Sequence, residues 1–144
     1  MTKLLLCAAA VAACTVSASG GWADHAGKYV LPNDLTLIVR ENRASGITAL
    51  QMFVKTGSLY ETAENNGVSC ITQNLLLKGT PARSAERIAE ELEMNGGDLQ
   101  VFVAEDYCNI SLVSVSTGFL KCLDVLADCI LHPLFEQSDV EREK

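Results

Sequence analysis

Residues 98–104 and 107–115, DLQVFVA and YCNISLVSV, alternate apolar and polar side chains on either side of Glu105-Asp106. Successive side chains of a strand point to opposite faces, so the second segment places Cys108, Ile110 and Leu112 together on one of them. This reads as an antiparallel pair with one apolar face, and such a pair is not stable in water until that face is covered. The flanking segments supply the cover. Ser84 begins a helix whose stripe is Ala85, Ile88, Ala89 and Leu92, with Glu86, Arg87, Glu90, Glu91 and Glu93 facing away, and Gly96-Gly97 ends it. Ser116 is placed to cap a further helix that turns Phe119, Leu123, Leu126 and Ile130 inward and closes at His132-Pro133. The fold class expected is therefore α+β, an antiparallel-rich sheet covered by helices.

More strands precede this unit. KYVLPNDLTLIVREN holds two extended runs around Pro32-Asn33-Asp34, the second from Leu35 to Arg40, and reads as a hairpin. Another strand is expected from about Ile47 to Lys55, ended by Gly57. Asn65-Asn66-Gly67 offers a cap for a helix that should reach Leu77 and stop at Lys78-Gly79, with Pro81 just beyond. At the far end Ser138-Asp139-Val140-Glu141 has the form of a capping box. A start signal with so little helix behind it reads as a chain truncated on its C-terminal side.

The first residues have the make-up of an export signal: Lys3, then the apolar run LLLCAAAVAAC, then small residues. Two processing sites compete. Cleavage after GWA removes residues 1–23, whereas Val11-Ala12-Ala13-Cys14 resembles a lipoprotein box that would remove residues 1–13 and lipidate Cys14. Either way the destination is the bacterial periplasm or a lipid anchor at the cell envelope, with the membrane reached only through Cys14. Residues 24–144 are enough for one modest domain with a core and too few for two. Lys3 is the sole charge in the leader, so the formal net charge passes from -7 to -8 on its removal. That balance argues against nucleic acid or an anionic membrane surface as a partner.

Cys70, Cys108, Cys122 and Cys129 remain after cleavage, in a compartment where a disulfide can form. Cys122 and Cys129 are excluded as a pair if they share a helix, because seven residues set them roughly 10 Å apart. There is no CxxC and no Cys/His spacing suited to metal, so small buried thiols are the simpler reading.

Five strings in order, LPNDLTLIV, FVKTGSLYE, GVSCITQNLLLKGT, SAERIAEELEMNGG and HPLFEQSDVEREK, resemble the M16 metallopeptidases, the family of insulin-degrading enzyme, pitrilysin and mitochondrial processing peptidase. They cover nearly everything after Lys28 and make residues 24–144 resemble an incomplete M16 amino-terminal domain. In that family the helix at residues 67–80 carries an inverted zinc motif, H-x-x-E-H. Residues four apart on a helix share a face, so two imidazoles reach one Zn²⁺ and the glutamate activates its water. Aligned through Gly67, Lys78, Gly79 and Thr80, the resemblance sets Cys70 at the first histidine, Gln73 at the glutamate and Asn74 at the second histidine. A carboxamide is a poor zinc ligand, and Gln73 has no carboxylate with which to take a proton.

The resemblance thus implies a non-catalytic homologue with no cofactor, where active relatives hold zinc. Its third ligand, a glutamate, would lie in the last helix beyond Lys144. His25 and His132 read as solvated or packing histidines. Cys70, Gln73, Asn74 and Leu77 are expected to line a concave wall, opposite Val68, Ile71 and Leu75. Gly57, Ser58 and Glu61 are expected to be structural, and Asp34 to tolerate a turn where relatives carry glycine. The expected role is a peptide-binding or stabilising partner, bound to an active M16 subunit or a second M16 half and to peptide or unfolded polypeptide. The alternatives are an atypical zinc metalloendopeptidase using Cys70 with ligands beyond residue 144, and a lipid-anchored peptide-binding scaffold.

Overall fold

The computed structural model describes residues 26–143, in two compact units divided between Ser45 and Gly46. The leader, Cys14, His25 and the competing cleavage sites lie outside the described residues. The first unit is the expected hairpin: β1 (Gly27–Val30) pairs antiparallel with β2 (Thr36–Val39), Gly27 opposite Val39 and Val30 opposite Thr36. Its turn is closed by the Asp34 N–H on the Leu31 carbonyl and the Leu31 N–H on the Leu35 carbonyl, both 2.9 Å. Asp34 sits at φ 64°, in the left-handed region that aspartate tolerates better than most residues.

The second unit is built on a three-stranded antiparallel sheet in the order β3-β5-β4: β3 (Ile47–Val54), β4 (Gly97–Val103) and β5 (Cys108–Val115). β5 is central. Leu112 lies opposite both Leu50 and Leu99, and Ile110 opposite both Met52 and Val101, so these two rungs of the inner face each carry three apolar side chains. Over this face pack α1 (Val68–Leu75), α2 (Ala85–Met94) and α3 (Phe119–Leu131), while α4 (Gln137–Glu143) packs against α1. The core joins Leu76, Ile88, Leu92, Cys108, Ile110, Leu112, Cys122, Val125, Leu126 and Cys129. The α+β, helix-covered antiparallel sheet expected from the sequence is what forms. No helix among the described residues is long and apolar enough to cross a membrane.

Several local expectations give way to tertiary contacts. Ser84 does cap α2, its side chain accepting the Arg87 N–H, and Gly96 ends that helix at φ 62°. Ala89, however, is exposed, which narrows the buried stripe to Ile88 and Leu92 with Ala85 at its margin. Ser116 does not cap α3: its hydroxyl pairs with Thr48 Oγ1 at 2.9 Å and its N–H reaches the Gly46 carbonyl, so it extends the β3–β5 pairing. The inward face of α3 centres on Cys122, Val125, Leu126 and Cys129, with Phe119, Leu123 and Ile130 only half-buried. The box at Ser138 does not form. The helix already begins at Gln137, and the Asp139 and Val140 N–H groups are taken by the Glu136 carbonyl.

The four described cysteines are free thiols, Cys108, Cys122 and Cys129 buried in the core and Cys70 exposed. Burial raises the Cys108 thiol above its ordinary value, and with the added charge of Asp128 it pushes Cys129 up to about 11.

Candidate functional site

The motif helix α1 is held at both ends by side chains far off in sequence. At its start, Gly67 is left-handed at φ 90° and offers no side-chain cap. The N-cap thus falls within the expected Asn65-Asn66-Gly67 stretch, but the Asn65 side chain turns back to the Thr62 N–H and does not bond the helix. Glu61 does the work instead. Its carboxylate accepts the Gly67 N–H at 2.7 Å and the Ser69 N–H at 2.8 Å, satisfying free donors at the positive end of the helix. Those two backbone bonds, Gly67's the stronger, hold the Glu61 carboxyl below the usual carboxylate range. Gly57 sets up this arrangement at φ 129°, where a Cβ would lie 2.5 Å from the carbonyl oxygens of Ala104 and Glu105. Gly57 and Glu61 are thus the structural link expected.

At the other end the helix stops at Leu75, two residues before the expected Leu77, and the chain turns through Lys78 to Thr80. Thr80 Oγ1 accepts the N–H groups of Ala82 and Arg83 and donates to Asp128 Oδ2 of α3 at 2.8 Å. Arg83 reaches Asp128 at 2.7 Å, Asp124 at 2.8 Å and Glu91 at 2.9 Å, tying α2 and α3 to the same turn. The bond to Asp128 raises the Arg83 pKa most. Burial opposes ionisation of Asp128, yet its bonds from Thr80, Arg83 and His132 outweigh it and leave the carboxyl below its ordinary value. The His132 ring is exposed and meets Asp128 Oδ1 through Nδ1 at 3.1 Å.

Between these anchors the three motif positions separate. Cys70 and Asn74, four residues apart, are both exposed on one face, with Asn74 Nδ2 donating to Cys70 Sγ at 3.9 Å. Gln73 turns toward the protein. It is 8 % exposed, and its Oε1 is buried with no hydrogen-bond partner. The opposite face differs from expectation too: Leu75 is buried, as are Ser69 and Leu76, while Val68 is exposed. The single wall foreseen for Cys70, Gln73, Asn74 and Leu77 is therefore split into an outer pair and a buried amide.

A residue not singled out from the sequence completes the outer surface. Glu143 of α4 accepts from Asn74 Nδ2 at 3.1 Å and lies 3.4 Å from Lys78 Nζ. The faint signal for it is the start of a charged helix after Glu136, but nothing in the local pattern says which carboxylate would face α1.

These side chains do not fit the zinc ion of the inverted motif. Asn74 presents its amide N–H group, a donor with no lone pair for a metal, and the buried Gln73 Oε1 is a neutral acceptor that cannot act as a base. Among the described residues, no three of His, Cys, Asp and Glu gather closely enough to hold a metal.

The sequence profile of insulinase, peptidase family M16, matches residues 37–144, and the chain belongs to that family. It is 30% identical over 117 residues to the uncharacterized zinc protease YmxG of Bacillus subtilis, covering 81% of this chain and 29% of that protein. It is 27% identical over 114 residues to a probable mitochondrial-processing peptidase subunit beta of Arabidopsis thaliana, 79% of this chain and 22% of that one. Cytochrome b-c1 complex subunit 1 of Caenorhabditis elegans is 28% identical over 107 residues, 74% of this chain and 23% of that one. A solved peptidase M16 inactive domain from Pseudomonas fluorescens superposes with a TM-score of 0.76 at 21% identity, across 81% of this chain and 29% of that chain. The chain thus spans under a third of the length of each of these relatives.

Proposed function

We propose that the chain is part of a non-catalytic M16 peptidase-like protein that binds peptide or unfolded polypeptide and stabilises an active zinc peptidase subunit. The observation that carries this reading is the pair of amides at Gln73 and Asn74, the first with its oxygen buried and unpartnered and the second engaged with Glu143. Water activation needs a metal held by good donors and a base beside it, and neither amide supplies one. What remains is surface. β3 and β4 each pair on one side only among the described residues, which leaves strand edges to which an extended peptide can add by main-chain hydrogen bonds. Two of the relatives carry the names of subunits, which supports a role inside an assembly. The export-signal composition of residues 1–23 supports a role in the bacterial periplasm, or at the cell envelope if Cys14 is lipidated.

Co-expression with an intact M16 subunit is the test. Co-purification and a change in its peptidase activity are expected, and the absence of both would refute the partner role. Metal analysis of the purified chain should find no stoichiometric zinc. Zinc at one equivalent that disappears in Cys70→Ala would replace this reading with an atypical metalloendopeptidase.

A further inference from the structure

The mismatch between the motif helix and a metal has a structural counterpart in α4. None of the described residues of this helix, Gln137–Glu143, is fully buried, so the contacts of its side chains bear on how it is seated. Two side-chain contacts, Gln137 to Glu141 and Arg142 to Asp139, stay within the helix. Glu143 alone among them reaches outward. One carboxylate oxygen takes the Asn74 amide and the other faces the Lys78 ammonium. Glu143 is largely shielded, its side chain 22% exposed, and it is met by Asn74 from the last turn of α1 and by Lys78 from the turn beyond. An amide N–H group and an ammonium together give a carboxylate what a cation would: a directed donor and a compensating charge.

We infer that Glu143, held at once by Asn74 and Lys78, is a metal-independent clasp that docks α4 on the motif helix. The side chain that cannot serve as a ligand thus serves as a tie, with Asn74 as its donor. The inference rests on the zinc-free reading of the site, and the experiment separates the two.

Amide hydrogen exchange at residues 140–143 of the full chain, measured in EDTA, reads the docking of α4, and the β5 amides report whether the core is intact. Glu143→Ala, outside the core, should speed exchange at residues 140–143 about five-fold and leave β5 unchanged. Asn74→Asp should do at least as much, because two carboxylates then face each other. Combining Asn74→Asp with Glu143→Gln exchanges donor and acceptor and should return the rate to within about two-fold of the starting chain. Unchanged exchange in Glu143→Ala, or no recovery in the double variant, overturns the clasp. One equivalent of zinc in place of EDTA should alter nothing. If zinc slows exchange in the unsubstituted chain, the zinc-free reading fails, whereas the clasp stands or falls on the EDTA measurements alone.

Discussion

Asp128→Ala should unfold the chain earlier by a margin that can be worked out from its contacts. The carboxylate receives the Thr80 hydroxyl at 2.8 Å and the Arg83 guanidinium at 2.7 Å, with its side chain only 15% exposed and Thr80 5%. Losing a bond to a buried hydroxyl costs about 1 kcal/mol, and losing a charge-assisted bond to a shielded guanidinium costs about 1.5 kcal/mol. The contact with exposed His132 adds little. Arg83 keeps Glu91 and Asp124, which limits the damage, so the total is about 2.5 kcal/mol. For a domain of this size that lowers Tm by about 10 °C. Asp128→Asn retains an acceptor for Thr80 and should cost about 1 kcal/mol.

Thermal unfolding followed by far-ultraviolet circular dichroism at neutral pH measures both. The folded pKa of Asp128 lies below the unfolded value of about 3.9. Its contribution is therefore complete above that value and is lost as pH falls through the folded pKa. The gap between the parent chain and Asp128→Asn should close in acid accordingly. An Asp128→Ala variant within about 0.5 kcal/mol of the parent would refute the idea that this carboxylate anchors the turn behind the motif helix.

Two other substitutions probe the same helix. Gly57→Ala drives a Cβ against the Ala104 and Glu105 carbonyls at an unfavourable φ and should cost about 3 kcal/mol or more by the same unfolding measurement, and a loss under about 1 kcal/mol would contradict the geometry. Gln73→Met removes the unpartnered buried acceptor while nearly conserving volume and should raise stability by up to about 1 kcal/mol, whereas a loss of that size would mean that Oε1 has a partner in solution.

What was legible in the sequence was periodic or local. The alternation of β4 and β5, the Ile88 and Leu92 stripe of α2 and the Ser84 cap depend on neighbours two to four residues away, and all three formed. What could not be read depends on distant partners. Glu61 caps α1 from six and eight residues upstream, set in place by a 3-10 turn at Ser58–Tyr60 just before it that the local pattern does not fix. Ser116 has the chemistry of a cap, but Thr48, 68 residues earlier, competes for its hydroxyl and wins. The motif positions were found by alignment to a pattern, yet their division into an exposed pair and a buried amide is set by how α1 rolls against the sheet. Glu143 was missed for the same reason, since its partners sit 69 and 65 positions back.

The position of β5 between β3 and β4 has a bearing on how the chain comes to be folded. On the ribosome β3 is made first and β4 next, but neither finds a partner in the other. Both must wait for the strand that emerges last, with Ile47 closing on Val115 across a long loop. Until Cys108–Val115 has left the tunnel, Leu50, Met52, Leu99 and Val101 are bare hydrophobic surface, and any factor that guards the nascent chain has its work in that interval.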